Sequence, residues 1–375
     1  MRINGMIQAK KGICFALGLV CFVASYTYHA HLAAQPARLN IIQQSGCAQP
    51  VCSLLLQNTI DTLLLDQVLF DTKSASLISS ELENSDTNLL FSVDVNSEDF
   101  ALQNLKQFEN LGFQLRGIER LPNAEGIENH IGAHASLVNQ EIQKLKGTHP
   151  NAAFHADIFA DNETVLQYLD KIPSINSAIN YDLSLALSSV LATTNINDYL
   201  AQGGIHNSIE VLSQHLARSF EYDDKVSLFL LSPTLPSEVP VELSLKKLNI
   251  FQSITSLLNF SQEFDLGTLL KLKDLSSLAS HQQTLLDAKK RSFERLGNAD
   301  TLKVVDAGTL LGVSLSNTNG PHFIIINVDE YSKHALPASF FNAGDFENIV
   351  TGDEVSRQSN PVLQPSEFLI LTYQP

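Results

Sequence analysis

Three apolar, strand-like runs each carry a polar group that folding alone does not require. Leu111–Glu119 reads Leu-Gly-Phe-Gln-Leu-Arg-Gly-Ile-Glu and holds Gln114 and Arg116. Leu89–Val95 carries Asp94 near its end, and Ala152–Phe159 carries Asp157. Carboxylates on neighbouring strands are the material of general acid–base and nucleophilic chemistry. An arginine is not: its guanidinium stays protonated and offers no lone pair. Charges drawn into such a place are normally paired, because an isolated buried charge is costly. The first expectation is therefore an Arg116–Asp157 ion pair.

Other constellations are weaker. His130 and His134 stand i, i+4 and share a helix face, but the residues between them are Ile-Gly-Ala. A zinc protease helix needs glutamate there, so these are read as surface or partly buried histidines. There is no Gly-rich phosphate loop, no Gly-x-Ser-x-Gly elbow and no Cys-x-x-Cys. Lys246-Lys247 falls on an amphipathic segment and reads as a solvated edge. Asn162-Glu163-Thr164 and Asn259-Phe260-Ser261 are sequons for glycosylation in a secretory setting.

Charge is unevenly spread. Residues 1–60 contain Arg2, Lys10, Lys11 and Arg38 and no acid, a charge of +4 against −16 for the chain, which leaves −20 for the rest. A strongly acidic body repels nucleic acid and anionic lipid, so neither is expected as a partner of that body. Tryptophan is absent, which argues mildly against the aromatic platforms common in sugar subsites. At 375 residues the chain holds one barrel-sized domain and a smaller one.

The elements that must position these residues alternate short apolar runs with helix-length amphipathic segments, the pattern of βα units around a parallel sheet. The predicted strands are Arg38–Ile42, Thr62–Leu65, Leu89–Val95, Gly112–Ile118, Ala152–Phe159, Asn180–Leu187, Val226–Leu231 and Leu257–Phe260. The predicted helices are Val51–Asn58, Glu98–Asn110, Val241–Ser256 and Leu266–Leu296. From about Asp300 the character changes: strands at Leu311–Leu315, His322–Asn327 and Phe368–Leu371, separated by Asn-Gly-Pro and Gly-Asp turns, predict an antiparallel module.

This order, and the Gly112–Glu119 segment above all, resembles the α-amylase superfamily (glycoside hydrolase family 13). The fourth barrel strand of its enzymes reads Gly-Phe-Arg-x-Asp, and the aspartate is the nucleophile. Gln114 stands at the arginine of that pattern and Arg116 at the nucleophile. Asp157, in Ala-Asp-Ile-Phe, corresponds to the general-acid glutamate with a shorter side chain, and Asp94 to the aspartate of the third strand, without the Asn-His that follows it there. The third family acid belongs near Ser232-Pro233-Thr234, where no acid occurs. The resemblance thus implies Arg116 and Asp157 as degenerate positions, with no catalytic residue, cofactor or metal. It implies an α/β fold: a degenerate TIM (β/α)8 barrel over 38–298 and a C-terminal antiparallel β-sandwich over 299–375. Val95 is followed at once by the helix at Glu98, leaving no room for the domain that amylases insert after the third strand.

Gly-Phe-Gln-x-Arg-x-Ile-Glu is also similar to the matching segment in the heavy subunits of heteromeric amino-acid transporters (solute carrier family 3, member 2-like), a non-catalytic branch of that superfamily. The N-terminus suits this. Lys10 and Lys11 precede an apolar run, and no Asp, Glu, Lys or Arg occurs from Gly12 to Ala37. A basic start and a short apolar core also describe a cleaved signal peptide; an anchor needs about 20 residues and must include Ser25–Tyr28. The resemblance favours the anchor: a short cytoplasmic tail (1–11), a transmembrane helix (12–30) and a linker (31–37), with the C-terminus outside at the plasma membrane. Cys14, Gly18, Cys21 and Ser25 recur on one helical stripe, a small-residue face for a partner helix in the bilayer. Cys47 and Cys52 lie in an oxidising compartment either way and are expected to bond to each other. The implied partner is a polytopic amino-acid transporter light subunit; the alternatives are a secreted protein, a divergent glycosidase or a carbohydrate-binding scaffold.

Overall fold

The structure, a computed structural model, describes residues 37–40, 62–66, 88–94, 111–118, 127–175, 177–191, 204–220, 227–233, 235, 239–258, 260–265, 269, 272, 276–296, 301–317, 320–359 and 361–373. Eight parallel strands close into a barrel: β1 (Ala37–Asn40), β2 (Thr62–Asp66), β3 (Asn88–Asp94), β4 (Leu111–Ile118), β5 (Ala153–Ile158), β6 (Ser177–Ile179), β7 (Ser227–Leu231) and β8 (Ser261–Asp265). β8 returns to pair with β1, so the sheet keeps no free edge. The helices are α1 (Ile127–Thr148), α2 (Asn162–Lys171), α3 (Tyr181–Leu191), α4 (Gly204–Phe220), α5 (Val241–Leu257) and α6 (Ser276–Leu296).

Alternation along the strands sorts the side chains. Phe113 and Leu115 of β4, and Phe154, Ala156 and Ile158 of β5, are buried in the core under the helices. α1 meets them with Ile131, Ala135, Val138, Ile142 and Leu145, one stripe at helical spacing. Phe113 is fully buried, stacked on Phe154 with centroids 5.7 Å apart and set edge-on to His149 at 5.6 Å. Phe113→Ala is expected to cost about 3–5 kcal/mol in urea unfolding; a loss below about 1 kcal/mol would show that this contact does not form. The glycine before it answers to close approach: a Cβ on Gly112 would meet Leu90 Cδ1 at 2.9 Å and the Ala153 carbonyl at 3.2 Å.

The C-terminal unit is a six-stranded sheet in the order β14-β13-β16-β11-β10-β9 beside a two-stranded one, β12-β15. Its strands are β9 (Thr301–Ala307), β10 (Leu310–Asn317), β11 (Gly320–Ile326), β12 (His334–Ala335), β13 (Phe346–Asn348), β14 (Glu354–Val355), β15 (Val362–Leu363) and β16 (Phe368–Tyr373). Period-two alternation buries both faces of the large sheet. Leu311, Val313, Ile324, Ile326 and Ile370 join the barrel core, while Leu310, Ile325, Leu369 and Leu371 pack with Leu336, Phe341, Phe346 and Leu363. The sandwich expected over 299–375 thus has one full layer; its second consists of β12-β15 and a 3-10 turn, Ala338–Ala343.

Several expectations are corrected. Asn180–Leu187 is not the sixth strand: β6 is Ser177–Ile179, and Tyr181–Leu191 is helical. The last barrel strand is Ser261–Asp265 rather than Leu257–Phe260, whose first residue closes α5. α6 begins at Ser276, not Leu266. Lys247 is no solvated edge. α5 lies between barrel and sheet, and Lys247 is 0% exposed. Its Nζ donates to Glu330 Oε1 at 2.6 Å and to the Leu191 carbonyl at 2.5 Å, while Glu330, in the loop after β11, is 1% exposed. Lys246 reaches the Glu330 carbonyl at 3.4 Å. This pair ties the C-terminal sheet to α5 and the end of α3. The apolar N-terminal segment 12–30, its stripe Cys14, Gly18, Cys21 and Ser25, the cysteines Cys47 and Cys52, and the helices at Val51–Asn58 and Glu98–Asn110 lie outside the described residues. Among the described residues no helix is long and apolar enough to cross a membrane.

Candidate functional site

The C-terminal ends of β4, β5 and β6 bring the charged residues of the sequence together. β4 and β5 run in register from Gly112↔Ala153 to Leu115↔Ala156, with a shift between Leu115 and Ile118 at the level of Arg116. There Arg116 Nε donates to Asp157 Oδ2 at 3.2 Å, with the side chains 26% and 15% exposed. The other carboxylate oxygen, Asp157 Oδ1, accepts from Tyr181 Oη at 2.5 Å. Tyr181 opens α3 immediately after β6, and its ring stands edge-on to Phe159 at 4.8 Å. Asp94 pairs with Arg116 in the β3–β4 register, placing an acidic residue on the strand beside it.

Both oxygens of Asp157 are thus engaged by cationic or hydroxyl donors. One strand away, Arg116 of β4 offers a guanidinium. The end of β7 supplies Ser232, which is buried, and no acid. The arrangement orients and neutralises charge: among the described residues, the Asp157 carboxylate faces the Arg116 guanidinium.

One layer deeper the barrel is polar. Ser92, Gln114, His155 and Ser177 occupy matched positions on four successive strands. His155 Nδ1 and Ser177 Oγ are hydrogen-bonded. Gln114 is 1% exposed, and neither its Oε1 nor its Nε2 has a hydrogen-bond partner among the described residues. The position occupied by arginine in the amylase pattern therefore carries a neutral amide under the Arg116–Asp157 pair.

The remaining predicted sites are scattered. His134 Nδ1 faces Tyr168 Oη at 3.2 Å across α1 and α2, and His130 lies one turn earlier on α1. Among the described residues no group of three His, Cys, Asp or Glu could hold a metal ion. Asn162 is the first residue of α2, behind an Asp161 cap whose Oδ1 accepts from Thr164 N at 2.8 Å. Asn162 is 4% exposed, and its backbone N–H donates to Asp182 Oδ2 at 3.0 Å. The Asn162 of the first sequon is therefore buried; Asn259 lies outside the described residues. Tyr181 was missed by sequence reasoning because its segment was read as a strand, and the only signal for it was a polar aromatic directly after a short apolar run.

Solved structures with the same arrangement bear on this site. The α-amylase from Geobacillus thermoleovorans, complexed with acarbose, superposes with a TM-score of 0.53 at 10% identity, over 90% of this chain and 97% of that one. The fold is the α-amylase fold. A variant of the trehalulose synthase MutB in complex with Tris gives 0.54 at 9% identity, over 91% and 99% of the two chains. The γ-CGTase from alkalophilic Bacillus clarkii gives 0.53 at 9%, over 91% and 71%. The sequence matches no established family model and no curated protein. At such identities the likeness is one of architecture, and the activities belong to those enzymes.

Proposed function

We propose that this chain is an amylase-fold protein without glycosidase chemistry at its barrel mouth. In this reading it is a membrane-anchored heavy subunit that pairs with a polytopic amino-acid transporter and supports its surface expression. The observation that carries the non-catalytic part is Arg116 at the nucleophile position, ion-paired to Asp157 at 3.2 Å. The fold is kept while the chemistry is replaced by a neutralised, hydrogen-bonded cluster. The transporter part rests on the Gly112–Glu119 resemblance and on the uncharged segment after Lys11. The acidic body fits a role outside the membrane, away from anionic lipid.

The test is co-purification. Full-length chain taken from detergent-solubilised membranes should bring with it a polytopic transporter, identified by mass spectrometry. Helix packing in lipid depends on close backbone approach at small residues. Gly18→Leu, on the small stripe, should therefore weaken recovery of the partner several-fold, while Leu17→Ile, off the stripe, should not. Neither change should release the chain from membranes. A mature chain that starts after Ala30 and stays soluble through a carbonate wash would remove the anchor and the transporter reading with it. One observation favours a second reading: Phe159 is 54% exposed beside Tyr181 at the barrel mouth, an aromatic surface that a carbohydrate-binding scaffold could use. Binding of maltose, lost in Phe159→Ala, would support that scaffold instead.

A further inference from the structure

The C-terminal sheet holds a second polar constellation, far from the barrel mouth in sequence and drawn from three separate elements. Thr309 is the second residue of the two-residue turn between β9 and β10, after Gly308 at φ 70°. Its Oγ1 lies 2.9 Å from His334 Nδ1 on β12. The other ring nitrogen, His334 Nε2, lies 2.8 Å from Asp329 Oδ2. Asp329 is 1% exposed, and its second oxygen, Oδ1, accepts from the backbone N–H groups of Tyr331 at 2.8 Å and Ser332 at 3.0 Å. Its own N–H donates to Asn327 Oδ1 at 3.0 Å, and Asn327 Nδ2 spans the carbonyls of Ser332, Leu363 and Gln364 at 3.0–3.1 Å.

We propose that Thr309, His334 and Asp329 form an acyl-transfer site for small, unhindered esters. The roles follow from donor and acceptor chemistry. An ionised carboxylate only accepts, so Asp329 fixes the imidazole with its proton on Nε2 and leaves the Nδ1 lone pair facing the Thr309 hydroxyl. This is the hydroxyl–imidazole–carboxylate arrangement of nucleophilic acyl transfer, recognised by geometry rather than by fold. The orienting acid is held by two backbone donors, and the nucleophile sits on a tight hairpin, so the row is preorganised. Thr309 is half-buried and the His334 side chain is 18% exposed, which leaves the hydroxyl within reach of a small molecule.

The steps balance without an outside oxidant or reductant. Thr309 Oγ1 adds to the ester carbonyl carbon as its proton passes to His334 Nδ1. The tetrahedral species collapses, the bond to the alkoxy oxygen breaks, and Nδ1 returns the proton to the departing alcohol. Water then attacks the threonyl ester, giving one proton to Nδ1, which hands it to the leaving Thr309 Oγ1. The products are an acid and an alcohol.

The probe is p-nitrophenyl acetate with the full-length chain. The wild type should release p-nitrophenol above the buffer rate and carry an acetyl group on the peptide containing Thr309. Thr309→Val, which keeps size and removes the hydroxyl, and His334→Gln should each lower the rate about 10²-fold. Thr309→Ser should retain it, which a purely structural tie would not require, and unchanged thermal melting of Thr309→Val excludes loss of fold as the cause. A wild-type rate equal to buffer overturns the proposal. So does a Thr309→Val rate equal to wild type, or acetylation confined to lysines. These outcomes leave the non-catalytic reading of the barrel mouth untouched.

Discussion

Lys247→Met should destabilise the protein by about 3–5 kcal/mol in urea unfolding at neutral pH, and Glu330→Gln by a similar amount. The pair is 2.6 Å apart and 0% and 1% exposed, so neither survivor can recover water. Burial pulls the Lys247 ammonium below the usual lysine range and pushes the Glu330 carboxyl above the usual carboxylate range, against their mutual attraction. The signs define a second readout. A carboxyl whose folded value is raised stabilises the fold at acid pH, and that contribution is lost as pH rises through the folded value. The Lys247→Met penalty should therefore shrink as the pH is lowered towards the ordinary carboxylate range, where Glu330 takes up a proton. Lys247→Met with Glu330→Leu should recover most of the loss, short of about 1–3 kcal/mol for the Leu191 carbonyl left without its donor. Single-substitution losses under about 1 kcal/mol, or a penalty that grows towards acid pH, would contradict a buried pair between barrel and sheet.

Purified full-length chain should leave maltosides and other α-glucosides unhydrolysed, and Asp157→Asn should change nothing. Enzymes of this kind accelerate a very slow reaction by many orders of magnitude, on the order of 10⁶ at the least, so a working site could not pass unnoticed. Retention chemistry requires a nucleophilic carboxylate and a protonated acid on opposite sides of one bond. Arg116 stands in place of the first, and it binds Asp157, which stands at the second. Long incubation with an aryl α-glucoside and chromogenic detection measures this. Turnover above buffer that disappears in Asp157→Asn would show that another carboxylate of the chain has taken the nucleophile's place.

The candidate site was half legible. Arg116 and Asp157 stood out because charged residues in apolar runs demand a partner, and their pairing needed only that Gly112–Ile118 and Ala152–Phe159 be neighbouring strands. Tyr181 was not legible. α3 buries Leu183, Ser184, Ala186, Leu187, Val190 and Leu191, and a short segment buried on most sides loses the 3.6-residue alternation that separates helix from strand. β6 is three residues long, too short to register against that apolar helix. β8 reads Ser-Gln-Glu-Phe-Asp, polar enough to pass for a loop, while the apolar Leu257–Phe260 before it drew the assignment.

Local sequence by itself determined the alternation of strand and helix, the α1 stripe, the change to antiparallel hairpins after residue 300 and the absence of a nucleophile at 116. These follow from periodicity, turn chemistry and residue type, which act over a few positions. Tertiary structure alone decided which of two adjacent lysines is solvated. Lys246 and Lys247 differ by one step of a helix, and only the docking of the C-terminal sheet on α5 turns the second inward to meet Glu330, 83 residues away. It alone gathered Thr309, Asp329 and His334, and buried Gln114 inside the barrel. Contacts between distant segments carry no local signature, because the burial that makes them strong is created only when the layers close.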